Sequence, residues 1–112
     1  MPVIVKDVSD MARYIRGIVG RADHHADSVN EVVLTLAGAI LWRADEDPEV
    51  MSQGGDLKNV LWVKINRQRY AFSYSHIAKR IEMRAGSTHG AILHSFDNAT
   101  ATSQIRAIFD QL

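Results

Sequence analysis

The chain has 112 residues, of which 46% are hydrophobic and 23% charged, and its 13 basic and 13 acidic side chains cancel. That length suits one domain around one core, large enough to fold without a metal or a disulfide. Cysteine is absent, which excludes disulfides and thiol catalysis and agrees with a reducing compartment.

In chain order, Val3 to Val5 is a short apolar run, a candidate edge strand, and Asp7 or Ser9 can cap the next element. Met11, Ile15, Ile18, Val19 and Ala22 recur at helical spacing, which predicts a helix over 9–22 that Gly17 and Gly20 weaken. Ser28-Val29-Asn30-Glu31 reads as a capping box opening a second helix over 28–44. Its main apolar face is Val29, Val32, Val33, Leu36, Ala37, Ile40 and Leu41, and Leu34, Gly38 and Trp42 form a stripe on another side. A helix apolar on two sides is buried on two sides. The second stripe is therefore expected to meet the first helix or a second copy of the chain, which makes Leu34, Gly38 and Trp42 candidates for self-association. Pro48, behind the acidic Asp45-Glu46-Asp47, stops the helix. Val50-Met51 is a candidate short strand, and 52–56, with Gly54-Gly55, a loop.

Strand patterns continue the chain at 60–65, 69–75, 79–84 and 91–96. Leu61, Val63, Ile65, Tyr70, Phe72, Tyr74, Ile81 and Met83 alternate with Trp62, Lys64, Arg69, Ala71, Ser73, Arg80, Glu82 and Arg84, the mark of a half-buried antiparallel meander. Thr102 or Ser103 then caps a last helix whose Ile105, Ile108, Phe109 and Leu112 share a face. The expected fold is α+β: two N-terminal amphipathic helices packed on an antiparallel sheet of four or slightly more strands, then a short C-terminal helix, with 1–112 as one domain. The expected core is Ile15, Val33, Leu36, Ile40, Leu61, Val63, Phe72, Ile81 and Phe109.

The segments Ala39-Ile40-Leu41-Trp42-Arg43, Asn59-Val60-Leu61-Trp62-Val63, Arg69-Tyr70-Ala71-Phe72-Ser73-Tyr74, Arg80-Ile81-Glu82-Met83-Arg84 and Leu93-His94-Ser95-Phe96-Asp97-Asn98 together resemble the small orphan proteins encoded by bacterial integron gene cassettes. The resemblance implies a mobile bacterial gene product of the cytoplasm, and it carries no catalytic residue to transfer. One departure is the turn Asn66-Arg67-Gln68, where a tight hairpin favours Asn-Gly, so the hairpin register stays open.

Several groups invite a chemical reading. His24 and His25 among Asp23, Asp27 and Glu31 supply metal-ligand types, but at no recognised motif spacing; a solvated helix start is the stronger reading, and neither metal nor cofactor is expected. His76, His89 and His94 are the residue type that serves as an acid–base pair, yet they fall in separate turns and a strand. The loop 86–90 lacks a phosphate-cradling pattern, and Asn98-Ala99-Thr100 is a sequon in a chain with nothing to suggest secretion.

The charge balance is uneven: 1–56 carries five basic and ten acidic side chains, and 57–112 carries eight and three. Trp62, Lys64, Arg69, Arg80 and Arg84 on the outer sheet face are weak candidates for gripping an anion or single-stranded nucleic acid by charge and stacking. A solvated face whose charges discourage edge pairing is the plainer account.

No run reaches the roughly 18–20 apolar residues of a membrane span, and Met1 to Asp7 lacks the layout of a secretory signal. The leading expectation is a cytoplasmic, non-enzymatic binding or adaptor module that self-associates as a dimer, with an unknown protein or anionic ligand as a further partner. The alternatives are a toxin-like ribonuclease using His76, Arg69 and Arg80, or a ligand-binding protein with a pocket lined by Tyr70, Phe72, Tyr74 and Trp42.

Overall fold

The computed structural model describes residues 2–4, 13, 16, 28–53 and 56–112. Strand β1 (Pro2–Ile4) is followed by helix α1 (Val32–Arg43), strands β2 (Glu49–Gln53), β3 (Asp56–Ile65), β4 (Gln68–Ser75), β5 (Arg80–Ala85) and β6 (Ile92–Phe96), and helix α2 (Thr102–Asp110). The strands form one antiparallel sheet in the order β1-β2-β3-β4-β5-β6.

This corrects the expected architecture of two N-terminal helices on a four-stranded meander. The sheet has six strands, its first strand precedes α1 in the chain, and one complete helix, α1, lies ahead of the remaining five strands among the described residues. The helix expected over 9–22 lies outside those residues, apart from Arg13 and Arg16, which are exposed. The apolar runs at Val3 and Val50 pair with each other, and the sheet gains two strands. Pro2 sits in the edge strand β1, where a missing N–H costs no ladder bond if it faces outward.

Parity along β3, β4 and β5 matches the alternation in the sequence. Leu61, Val63, Ile65, Phe72, Ile81 and Met83 are buried on the face toward the helices, with Tyr70 and Tyr74 packed against them. Val50, Leu61, Phe72, Met83 and His94 stand in register across five strands. The helices contribute Val32, Val33, Leu36 and Ile40 from α1 and Ile105 and Phe109 from α2. The ring of Phe109 stacks on Phe72 with centroids 6.2 Å apart. Every expected core residue is buried except Ile15, which lies outside the described residues.

Helix α1 begins later than the capping box predicts. Residues 28–31 form turns, Glu31 is the N-cap, and it makes no side-chain cap. The Ser28 hydroxyl donates instead to the carbonyl of Lys79 at 2.8 Å. The cap comes from the turn after β6: Asn98 Oδ1 accepts the backbone N–H groups of both Glu31 and Val32 at 3.0 Å. The Asn98 amide donates to Asn30 Oδ1 at 2.9 Å and its backbone N–H to Ser28 O at 2.8 Å. At the last helix the expected Thr102 or Ser103 cap is replaced by Ala101, with Thr102 the first helical residue.

The β3–β4 hairpin keeps an unbroken register through Ile65↔Gln68 although Asn66 and Arg67 lie at φ 51° and 68°. Two successive left-handed residues make the tight turn whose twist suits a hairpin. The Asp45 carboxylate, just past α1, holds the turn by accepting Asn66 N–H at 3.0 Å and Arg67 N–H at 2.7 Å. Those two amides, Arg67 first, hold the Asp45 carboxyl below its ordinary range. Arg67 still carries a Cβ in a region that costs non-glycine residues ~1–2 kcal/mol. Arg67→Gly, which keeps the donated N–H, is expected to stabilise by ~0.5–1 kcal/mol after the extra unfolded-state entropy of glycine. Thermal unfolding should show a midpoint about 3–5 °C higher; an unchanged or lower midpoint would mean the turn is unstrained.

Candidate functional site

The outer face of the sheet carries the five cation and aromatic candidates. Trp62, on β3, is half-buried, and the Arg69 guanidinium lies 5.5 Å from its ring centroid. Lys64 pairs with Glu46 at 3.5 Å, both side chains more than half exposed, so the pair contributes little. Arg84 donates to Glu82 Oε1 and to the carbonyl of Gly90, each at 2.9 Å. Arg80 Nη2 donates to Ser95 O at 3.2 Å. Its Nε is buried without a hydrogen-bond partner, 3.7 Å from Asp97 Oδ2.

Trp62, Lys64 and Arg69 come together with Glu46, Asp47, Glu49 and Val63 around an open depression of about 30 Å³. That volume admits two or three waters, at ~10–15 Å³ each. Arg80 stands apart, four residues from Arg84 along β5, or roughly 13 Å. An anion on this face would compete with Glu46, Glu82 and Asp97 for three of the four cations. Ala71, between Trp62 and Arg84 in register, is buried although it belongs to the outer face.

The histidines do not converge. His76 lies in the β4–β5 turn with its ring edge-on to Tyr74 at 5.0 Å, His89 lies in the β5–β6 turn, and His94 is exposed on β6. Arg69 is the second residue of β4 and His76 comes just after its end, so the candidate ribonuclease set His76, Arg69 and Arg80 is split between the two ends of one strand. Phe72 is core and Trp42 lies half exposed on the far side of α1, so the aromatics do not line a shared pocket. Asp23, His24, His25, Asp27 and Gly54-Gly55 lie outside the described residues, and Glu31 is exposed at the start of α1. Among the described residues no three of His, Cys, Asp and Glu are grouped to hold a metal. The loop 86–90 is the β5–β6 turn: Gly86 has φ 77°, and a Cβ on Gly90 would collide with the carbonyl of Ala85.

The second stripe of α1 is open to solvent. Leu34 is 54% exposed and Trp42 48%, and a Cβ added at Gly38 would meet nothing within 4 Å. Leu41, expected on the sheet face, is 47% exposed and joins the stripe. Seven residues beyond Leu34, Leu41 turns back to within about 20° of it at 100° per residue, a signal the sequence carried. Trp42 is held by two guanidinium groups, Arg106 of α2 at 4.8 Å and Arg43 at 5.7 Å from its ring centroid. Arg43 also donates to the last two carbonyls of α2, Phe109 at 2.6 Å and Asp110 at 3.1 Å, and to Leu112 O beyond the helix at 3.0 Å. No local pattern singles out Arg43 and Arg106 in the sequence, because their positions depend on how α1 and α2 dock.

A six-stranded antiparallel meander bearing helices on one face, with an open apolar stripe on α1 and no converging polar set among the described residues, defines a small α+β protein. The chain belongs to the family described as Integron cassette protein VCH_CASS1 chain, whose model matches residues 11–106. The resemblance read from the sequence is thereby established as kinship. No curated protein matches the sequence. No helix among the described residues is long and apolar enough to cross a membrane.

Proposed function

We propose that this integron cassette protein is a cytoplasmic, non-enzymatic binding module that works by self-association through the outer stripe of α1. The observation that carries this reading is Trp42, a large apolar side chain left half exposed beside two arginine guanidinium groups. Tryptophan and arginine dominate the energetics of protein contacts. Leu34 and Leu41 extend the same surface along the helix.

The test is light scattering at micromolar concentration. The wild type is expected to run as a dimer, Trp42→Glu as a folded monomer, and Lys64→Glu, changed on the outer sheet face, as a dimer. A monomeric wild type overturns the reading. So does a Trp42→Glu chain that unfolds instead of dissociating, because Trp42 would then support the fold and not a contact.

A further inference from the structure

We infer that the two copies meet about a twofold axis at Gly38, with their α1 helices antiparallel; this rests on the self-association reading above. The exposed stripe is symmetric about Gly38: Leu34 lies four residues before it and Trp42 four residues after. In an antiparallel pair centred there, Leu34 of one copy faces Trp42 of the other, and Leu41 falls beside the other copy's Leu34. The same patch then serves both partners, as a closed dimer requires.

Gly38 sits where the two helices cross. It offers backbone and no side chain, with open space over it, so the axes can approach while Leu34 and Trp42 pack to either side. A parallel pair would instead set Trp42 against Trp42 and bring the Arg43 and Arg106 guanidinium groups of both copies to one end. The antiparallel pair separates these like charges. It places the exposed Glu31, seven residues before Gly38, at the end where the other copy's Arg106 covers Trp42. The Asp45 carboxylate at that end is turned onto the amides of Asn66 and Arg67. The helix dipoles also oppose, which favours the same orientation.

A chain without cysteine permits a direct test. Leu34→Cys and Leu41→Cys chains are prepared separately, shown to be dimers under reducing conditions, mixed, allowed to exchange and mildly oxidised. Two copies of residue 34 would lie ~12 Å apart along the helix axis in the antiparallel register and two copies of residue 41 ~9 Å apart, whereas 34 and 41 would be offset by ~1.5 Å. A disulfide needs Cα atoms within about 7 Å. The expected product is the mixed 34–41 disulfide, well above its share in a statistical mixture. Homodisulfides at or above that share, or no disulfide from a dimeric mixture, overturn the antiparallel register while leaving self-association standing. A monomeric wild type in the same light-scattering run overturns the underlying reading itself.

Discussion

Phe72→Ala is expected to cost about 3–5 kcal/mol, a large part of the ~5–15 kcal/mol that holds a domain of this kind together. Phe72 is 4% exposed at the middle of β4. It has Leu61 and Met83 on either side in register and the ring of Phe109 stacked above it. Truncation therefore opens a cavity where three strands and α2 meet, and the neighbouring strands are too well paired to collapse into it. Urea denaturation with wild type and variant side by side gives the difference directly. A loss below about 0.5 kcal/mol would show that the sheet presents its other face to the helices.

Arg43→Met is the second large effect, expected to cost about 2 kcal/mol. The methionine keeps the apolar stem but loses the donors to three carbonyls at the end of α2. Hydrogen bonds from a charged donor contribute ~1.5–3 kcal/mol each, and these share one half-exposed guanidinium, so their sum is discounted. A cation at a helix C-terminus adds a favourable dipole interaction. Arg43→Lys should recover only part of the loss, since an ammonium cannot span Phe109 and Leu112 with a planar fork. Equal stability of wild type and Arg43→Met in denaturant melts would remove Arg43 as the link between the helices.

The strands were legible because their side chains alternate cleanly. Leu61-Trp62-Val63-Lys64-Ile65 and Tyr70-Ala71-Phe72-Ser73-Tyr74 state both the element and its buried face, and burial at Leu61, Val63, Ile65 and Phe72 agrees. What the sequence concealed was nonlocal. Ser28-Val29-Asn30-Glu31 has the residues of a capping box, but Ser28 is drawn to Lys79 and the cap arrives from Asn98. Asn98 itself, which in sequence is only part of an idle sequon, is held by contacts to Asn30 and Ser28 that no local pattern announces. Asn66-Arg67 makes a turn usually given to Asn-Gly because Asp45, more than twenty residues earlier, accepts both its amides. Parity groups Lys64 and Arg80 on one face, yet it says nothing about Glu46 and Asp97, which come from outside the strands to meet them.

The distant partners that finish the ends of the two helices also have a bearing on the order of synthesis. The acceptor that finishes α1 lies 66 or 67 residues downstream of the donors it satisfies, and the carbonyls that Arg43 finishes lie 66 to 69 residues downstream of it. At ~5–20 residues per second, the ribosome adds the second partner roughly 3–14 s after the first. Through that interval α1 is a 12-residue helix without the Asn98 cap at its start, a length that is marginal in water by itself. Helix α1 gains its cap only once the turn after β6 has been made, and the α2 carbonyls that Arg43 meets come later still, so the two helix ends are completed well after α1 itself is synthesised.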